Sequence, residues 1–389
     1  MRYAIIICLL VLAAAVAIAQ PQTPSVLVND QGAHSALAGP GAPTAVIGLQ
    51  RYGHEISMNT GVKEYGLFYT VAHDDKRPDI AVIGEGYIGM AKPTGANWYH
   101  GGFFDLQING QTIGTTRIHS LIGRSSGNRG TVDFVFDTAM AVVRIRFVTL
   151  AGNDALYCQA LLEPKQEIKS VRVVLRCYPS AFVSNAERHV LTPTRDLAQG
   201  EKAELDLAKE WWLLYYDRIY DAGYVSPTHT GVGGCSALWP GSQADKVSFT
   251  VGSYGIDTAM ELKPQLRDFR FVFFDYAGTK NEAATADLRG RADGLLQQLA
   301  TFPFADPSVA NFPLAQKQQE IQPMLAAMPD EKEAVANYQR WAAELAEQLK
   351  LVQGGAVGAI MGEANAAQTI QQWERGVPEL RLKALLKQI

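Results

Sequence analysis

Residues 131–178 read TVDFVFDTAMAVVRIRFVTLAGNDALYCQALLEPKQEIKSVRVVLRCY. Val132, Phe134 and Phe136 fall on one side of the first apolar segment, and Asp133 and Asp137 on the other. Val143, Ile145 and Phe147 alternate with Arg144 and Arg146 in the same way, and Val171, Val173, Leu175 and Cys177 alternate with Arg172 and Arg176. Side chains of a strand point alternately to its two faces, so this pattern predicts four strands, each with one apolar and one wetter face. Their expected bounds are Val132–Asp137, Val142–Leu150, Ala155–Leu162 and Val171–Tyr178. The links Ala151-Gly152-Asn153-Asp154 and Glu163-Pro164-Lys165-Gln166 are short and turn-rich, which predicts an antiparallel meander.

Outward from this stretch the texture stays strand-like from Val46 to Tyr276. Asn109-Gly110 separates Phe103–Ile108 from Gln111–Gly114, and such a pair suits a hairpin turn with two positive-φ residues. More than a dozen predicted strands with almost no helical periodicity imply a mainly β fold, a large two-sheet antiparallel sandwich over 46–278. A helical segment follows over 279–389. There Leu288, Ala292, Leu295 and Leu299 form one apolar stripe, and Val335, Tyr338, Trp341, Leu345, Leu349 and Val352 form another. Asp330 with Glu333 matches a capping box, Gly354-Gly355 marks a helix end, and Pro378 is expected to begin a last, separate helix.

Residues 1–19 combine a cationic start, the apolar run Ala4–Ile18 and Ala17-Ile18-Ala19, the order of a secretory signal peptide. A secreted or periplasmic chain is expected, with a flexible lead-in over 20–45 that carries a strand near Val26–Val28. The net charge of −4 is spread without a basic block, which argues against nucleic acid and anionic membranes as partners. No later segment is long and apolar enough to span a bilayer. Cys158 and Cys177 are predicted on the same face of neighbouring strands. They form a disulfide if directly opposed, and are otherwise a pair of buried thiols, with Cys235 unpaired.

Gly123-Arg124-Ser125-Ser126-Gly127 matches the serine-hydrolase elbow, but another strand follows where a helix is required, so a hairpin loop is the better reading. The seven histidines show no metal-ligand spacing, and no phosphate-binding glycine loop is present, so neither a metal nor a cofactor is expected. Asn97-Trp98-Tyr99-His100 is the most suggestive cluster: aromatic faces stack on sugar rings, and an amide and an imidazole bond hydroxyls. Closure of one end of the core is the structural alternative for Trp98 and Tyr99. His229 with Trp239 forms a similar, weaker pair, and Tyr52, His54 and Glu55 a third. No catalytic pair follows from spacing.

The run from Val142 to Tyr178 resembles the galactose-mutarotase-like supersandwich group in strand texture and order. That resemblance implies long antiparallel strands in two large sheets and a protein that binds or processes carbohydrate; the expected signal peptide makes it an exported one. It carries over no catalytic histidine or glutamate to this chain. The contrasting expectation is a non-catalytic envelope or secreted assembly protein whose sandwich and C-terminal helices hold a protein partner.

Overall fold

The computed structural model describes residues 25–35, 50–73, 83–84, 88–114, 118–179, 183, 185–222, 233–355 and 357–387. The expected leader and most of the lead-in lie outside these residues. Among the described residues twenty strands build three antiparallel sheets, and helices follow them.

The largest sheet has nine strands in the order β14 (Asp196–Ala198), β13 (Arg188–Leu191), β16 (Trp212–Asp217), β17 (Cys235–Leu238), β20 (Asp268–Asp275), β11 (Leu156–Pro164), β10 (Ala141–Leu150), β9 (Arg129–Asp137) and β8 (Ile118–Ser126). A six-stranded sheet runs β15 (Lys202–Glu204), β18 (Ala244–Val251), β19 (Ile256–Leu262), β12 (Val171–Cys177), β6 (Phe104–Ile108), β7 (Gln111–Thr112). The third sheet joins β1 (Leu27–Ser35), β2 (Gln50–Asn59), β3 (Glu64–His73) and β4 (Ile83–Gly84), with β5 (Gly89–Lys92) also on β3.

The inner face of the nine-stranded sheet packs against both smaller sheets through one continuous apolar core. Phe104 of the six-stranded sheet meets Phe271 with ring centres 5.8 Å apart, and Tyr69 of the five-stranded sheet meets Phe134 at 5.9 Å. Such edge-on aromatic pairs add to plain area burial. The two small sheets therefore share one layer of a sandwich whose other layer is the nine-stranded sheet.

Three of the four strands in the opening stretch form the expected meander: β9, β10 and β11 are consecutive neighbours. The fourth, β12, does not join them. It pairs with β19 and β6 in the opposite layer, while β11 takes β20 as its next neighbour. This corrects the predicted bridge between Cys158 and Cys177. The link after Pro164 carries the chain across the sandwich, the two cysteines sit in different sheets, and both are buried free thiols.

The hairpin at Asn109-Gly110 forms as expected, with φ of 51° and 78°. Gly123–Gly127 lies at the end of β8 and in the turn to β9, with no helix after it.

The helices are α1 (Asn281–Thr301), α2 (Pro307–Ala310), α3 (Leu314–Ala326), α4 (Lys332–Gly354) and α5 (Ala359–Leu386). The predicted capping box is absent: Glu331 occupies the N-cap of α4 and no side chain caps it. Gly355, in the left-handed region, ends α4 as its sequence implies. Pro378 lies inside α5 rather than at the start of a separate helix.

The helices cover the outer face of the nine-stranded sheet. Leu288, Ala292 and Leu299 of α1 lie on Tyr157, Leu214, Val272 and Phe274, and Ile360 and Ala364 of α5 lie on Val135 and Val142. The face of β9 and β10 predicted as wetter is buried as well. Arg146 bonds Asp133 through Nε and Nη2, both at 2.6 Å, and bonds Glu363 of α5 at 2.9 Å; Arg144 pairs with the other oxygen of Glu363. Burial raises the carboxyl of Asp133, but the adjacent Arg146 outweighs it and holds the group below its ordinary range.

Candidate functional site

The outer face of the nine-stranded sheet is roofed by helices, whereas that of the six-stranded sheet is open. Period-two alternation puts Phe104, Leu106, Val173, Leu175, Val247 and Met260 inward. The residues between them are left facing solvent, and strand register arranges them in rows. One row is Asp105, Val174, Ala259, Ser248 and Glu204. Beside it runs Arg176, Asp257, Thr250 and Lys202, and on the other side Gln107, Arg172, Glu261 and Lys246.

Small side chains at Val174, Ala259 and Ser248 form a low floor between two rows of long polar ones. The result is a trough of about 670 Å³ lined by Asp105, Gln107, Arg172, Arg176, Lys202 and Lys246 among others. Two ion pairs lie within it. Arg176 binds Asp257 in a two-bond fork at 2.8 and 2.9 Å, and Lys246 binds Glu204 at 3.0 Å. That bond raises the ammonium of Lys246 above its ordinary pKa. Asp105 accepts from Gln107 at 2.7 Å and from the hydroxyl of Thr112.

At one end the trough opens into a second recess of about 410 Å³, which shares Arg176, Thr250 and Asp257 and adds Tyr178 and Tyr254. An aromatic row borders this end. His100 meets Tyr99 at 5.1 Å, Tyr99 meets Tyr178 at 4.9 Å, and Tyr178 meets Tyr254 at 5.2 Å, all edge to face. Tyr254 is 64% exposed. Gly255 is required here, because a Cβ at that position would stand 2.4 Å from the Tyr178 ring. Burial pushes the Tyr178 hydroxyl up to about 12.

The structure divides the predicted Asn97–His100 cluster. Tyr99 and His100 reach this rim, with the Nδ1 of His100 3.1 Å from the carbonyl oxygen of Gly95. Asn97 and Trp98 are fully buried, which corrects their expected contact with a ligand. Asn97 donates to Asp275 at 2.9 Å, and Trp98 donates from Nε1 to the Phe274 carbonyl at 2.9 Å while packing on Phe103, Tyr215 and Phe273. Trp239 is likewise a fully buried core residue, and its predicted partner His229 lies outside the described residues. Of the third cluster, His54 faces Asp30 at 2.6 Å while Glu55 lies 3.5 Å from Lys92.

The trough residues were present in the sequence as the wetter positions of predicted strands, Arg172 and Arg176 above all. Their convergence was not, because it depends on the pairing of strands distant in the chain. Among the described residues no group of three or more His, Cys, Asp or Glu is placed to hold a metal ion. No helix of the described residues is long and apolar enough to cross a membrane. Asp105, Glu204 and Asp257 are engaged by neighbours, and His100 stands at the border rather than opposite one of them.

No protein-family model and no curated protein matches the chain. Among solved structures it is similar to the GH36 α-galactosidase AgaA from Geobacillus stearothermophilus, with 11% identity and a TM-score of 0.30 over 46% of this chain and 30% of that one. The α-N-acetylgalactosaminidase NagBb from Bifidobacterium bifidum gives 9% and 0.37 over 64% of this chain and 39% of that one. A candidate aldose 1-epimerase from Klebsiella pneumoniae gives 8% and 0.31 over 69% and 95%. This chain thus spans well under half the length of the two glycosidases. All three scores lie below 0.5, so function is argued from the site itself.

Proposed function

We propose that the protein is an exported carbohydrate-binding sandwich and that it holds an oligosaccharide along the open face of the six-stranded sheet. The observation that carries this is the continuity of the trough with the recess beside Tyr178 and Tyr254. A shallow floor with fixed polar groups on both rims offers donors and acceptors to ring hydroxyls, and the exposed ring of Tyr254 at the end offers stacking surface. Opposed charges within the trough keep the rims polar without a strong field of one sign, which suits a neutral chain of sugars. The shared side chains Arg176, Thr250 and Asp257 make the two depressions one elongated surface, longer than a single sugar ring needs. The resemblance to the galactose-mutarotase-like group points the same way.

The test is a glycan-binding screen with the full chain, followed by titration of Val174→Arg and Tyr254→Ala. Val174 points outward from the floor, so the arginine obstructs the trough without entering the core. At least tenfold weaker binding is expected for each variant. Failure of the wild-type protein to bind any glycan in a broad set would overturn the reading, as would unchanged affinity in both variants.

A further inference from the structure

Cys177 and Cys235 belong to different sheets, on β12 and β17, yet the chain brings them to one point. The carbonyl of Asn97 accepts the backbone N–H of Tyr178 at 3.1 Å and the thiol of Cys235 at 3.3 Å. Trp98, the next residue, makes a backbone bridge with Cys177 itself. Its ring lies edge-on to Tyr215, which is the register partner of Cys235. Both residues are buried; burial first, and Cys177 as a near neighbour second, raise the thiol pKa of Cys235, while the Cys177 thiol itself donates to the Ile256 carbonyl at 3.7 Å. Cys158 is placed differently, between Phe147 and Phe271 in the middle of the nine-stranded sheet.

We propose that Cys177 and Cys235 form a disulfide that joins the two layers of the sandwich when the chain folds in the presence of a disulfide donor. Facing sheets stand ~10 Å apart, and a disulfide needs closer Cα atoms. The shared Asn97 carbonyl shows that the layers draw together at this edge. The step is two thiol–disulfide exchanges. One cysteine thiolate attacks a donor disulfide such as oxidised glutathione, expels one donor thiol and forms a mixed disulfide. The second cysteine thiolate then displaces the other donor thiol. The protein loses two electrons and two protons, and the donor gains both as two thiols. In the finished fold burial raises the thiol of Cys235 well above its ordinary range, which makes it a poor nucleophile. The bond therefore forms while this edge is still open.

The test is refolding of the reduced full chain with a mixture of reduced and oxidised glutathione, beside refolding under a reducing agent, then acid quench, alkylation and peptide mapping. The expected result is a linked Cys177–Cys235 peptide pair in most oxidatively refolded molecules, with Cys158 alkylated. A thermal midpoint several degrees lower is expected for the reduced form. Removal of the core-facing competitor in Cys158→Ala should leave the cross-link in place. Recovery of Cys177 and Cys235 as alkylated thiols in folded, oxidatively treated protein overturns the proposal. So does pairing of either one with Cys158.

Discussion

Asp275 shows what a single buried carboxyl does to this fold. It sits at the end of β20, accepts from the Asn97 side chain at 2.9 Å and from the Ala277 N–H at 2.8 Å, and is almost wholly shielded from water. Burial raises its pKa to about 6, against the partial opposition of Lys63 and of these hydrogen bonds. A carboxyl whose folded pKa is raised contributes stability that is complete below its unfolded value near 4 and is lost as pH climbs through about 6. The ionised form then costs on the order of 3 kcal/mol, at about 1.4 kcal/mol per pKa unit. Asp275→Asn keeps an acceptor for both donors and removes the ionisation. Its thermal midpoint relative to wild type should rise between pH 4 and pH 8. A difference that does not change with pH would show that Asp275 does not titrate in this range.

Among elements, α5 contributes the most unusual contact. Glu363 brings a carboxylate beneath the helices to Arg144 and Arg146, which are themselves almost fully buried. Removing one partner of a buried ion pair leaves the other charge without compensation and typically costs about 3–5 kcal/mol. Glu363→Ala is therefore expected to lose about that much stability. Because Glu363 holds α5 to β10, proteolysis of the native variant should begin in the helical segment. Denaturant melts combined with mapping of the first cleavage sites check both outcomes. A variant as stable as wild type would mean that the apolar contacts of Ile360 and Ala364 suffice to hold the helix down.

At the scale of the whole molecule, the strands of the opening stretch were legible because alternation is a property of neighbours in sequence. Val132-Phe134-Phe136 and Val143-Ile145-Phe147 do point into the core, and the Asn109-Gly110 turn closes its hairpin. The environment of the opposite faces was not legible. Arg144 and Arg176 look alike in sequence, each alternating with apolar residues, yet one is sealed under α5 and the other borders an open trough. That distinction comes from which layer each strand joins, set for β12 by the distant strands β6 and β19, and from where the helices land, set for Arg144 by Glu363, 219 positions away. Trp98 misled for a related reason: a tryptophan on a glycine-flanked loop serves core closure as readily as ligand contact, and here the Phe274 carbonyl takes its indole N–H.

The insertion of β20 between β11 and β17 also governs the order in which the molecule can be made. Until residues 268–275 emerge, β11 is the bare edge of a growing sheet, with its backbone donors and acceptors open to other chains. Closing that edge joins segments separated by more than a hundred residues, a non-local event that slows folding. In a pulse-labelling hydrogen-exchange experiment, amides of Leu156–Leu161 should gain full protection together with those of Asp268–Phe273. Earlier complete protection of the first segment would argue against this order. A chain emerging in sequence therefore carries an adhesive border for much of its synthesis, and its safe maturation depends on that border meeting β20 before it meets another molecule.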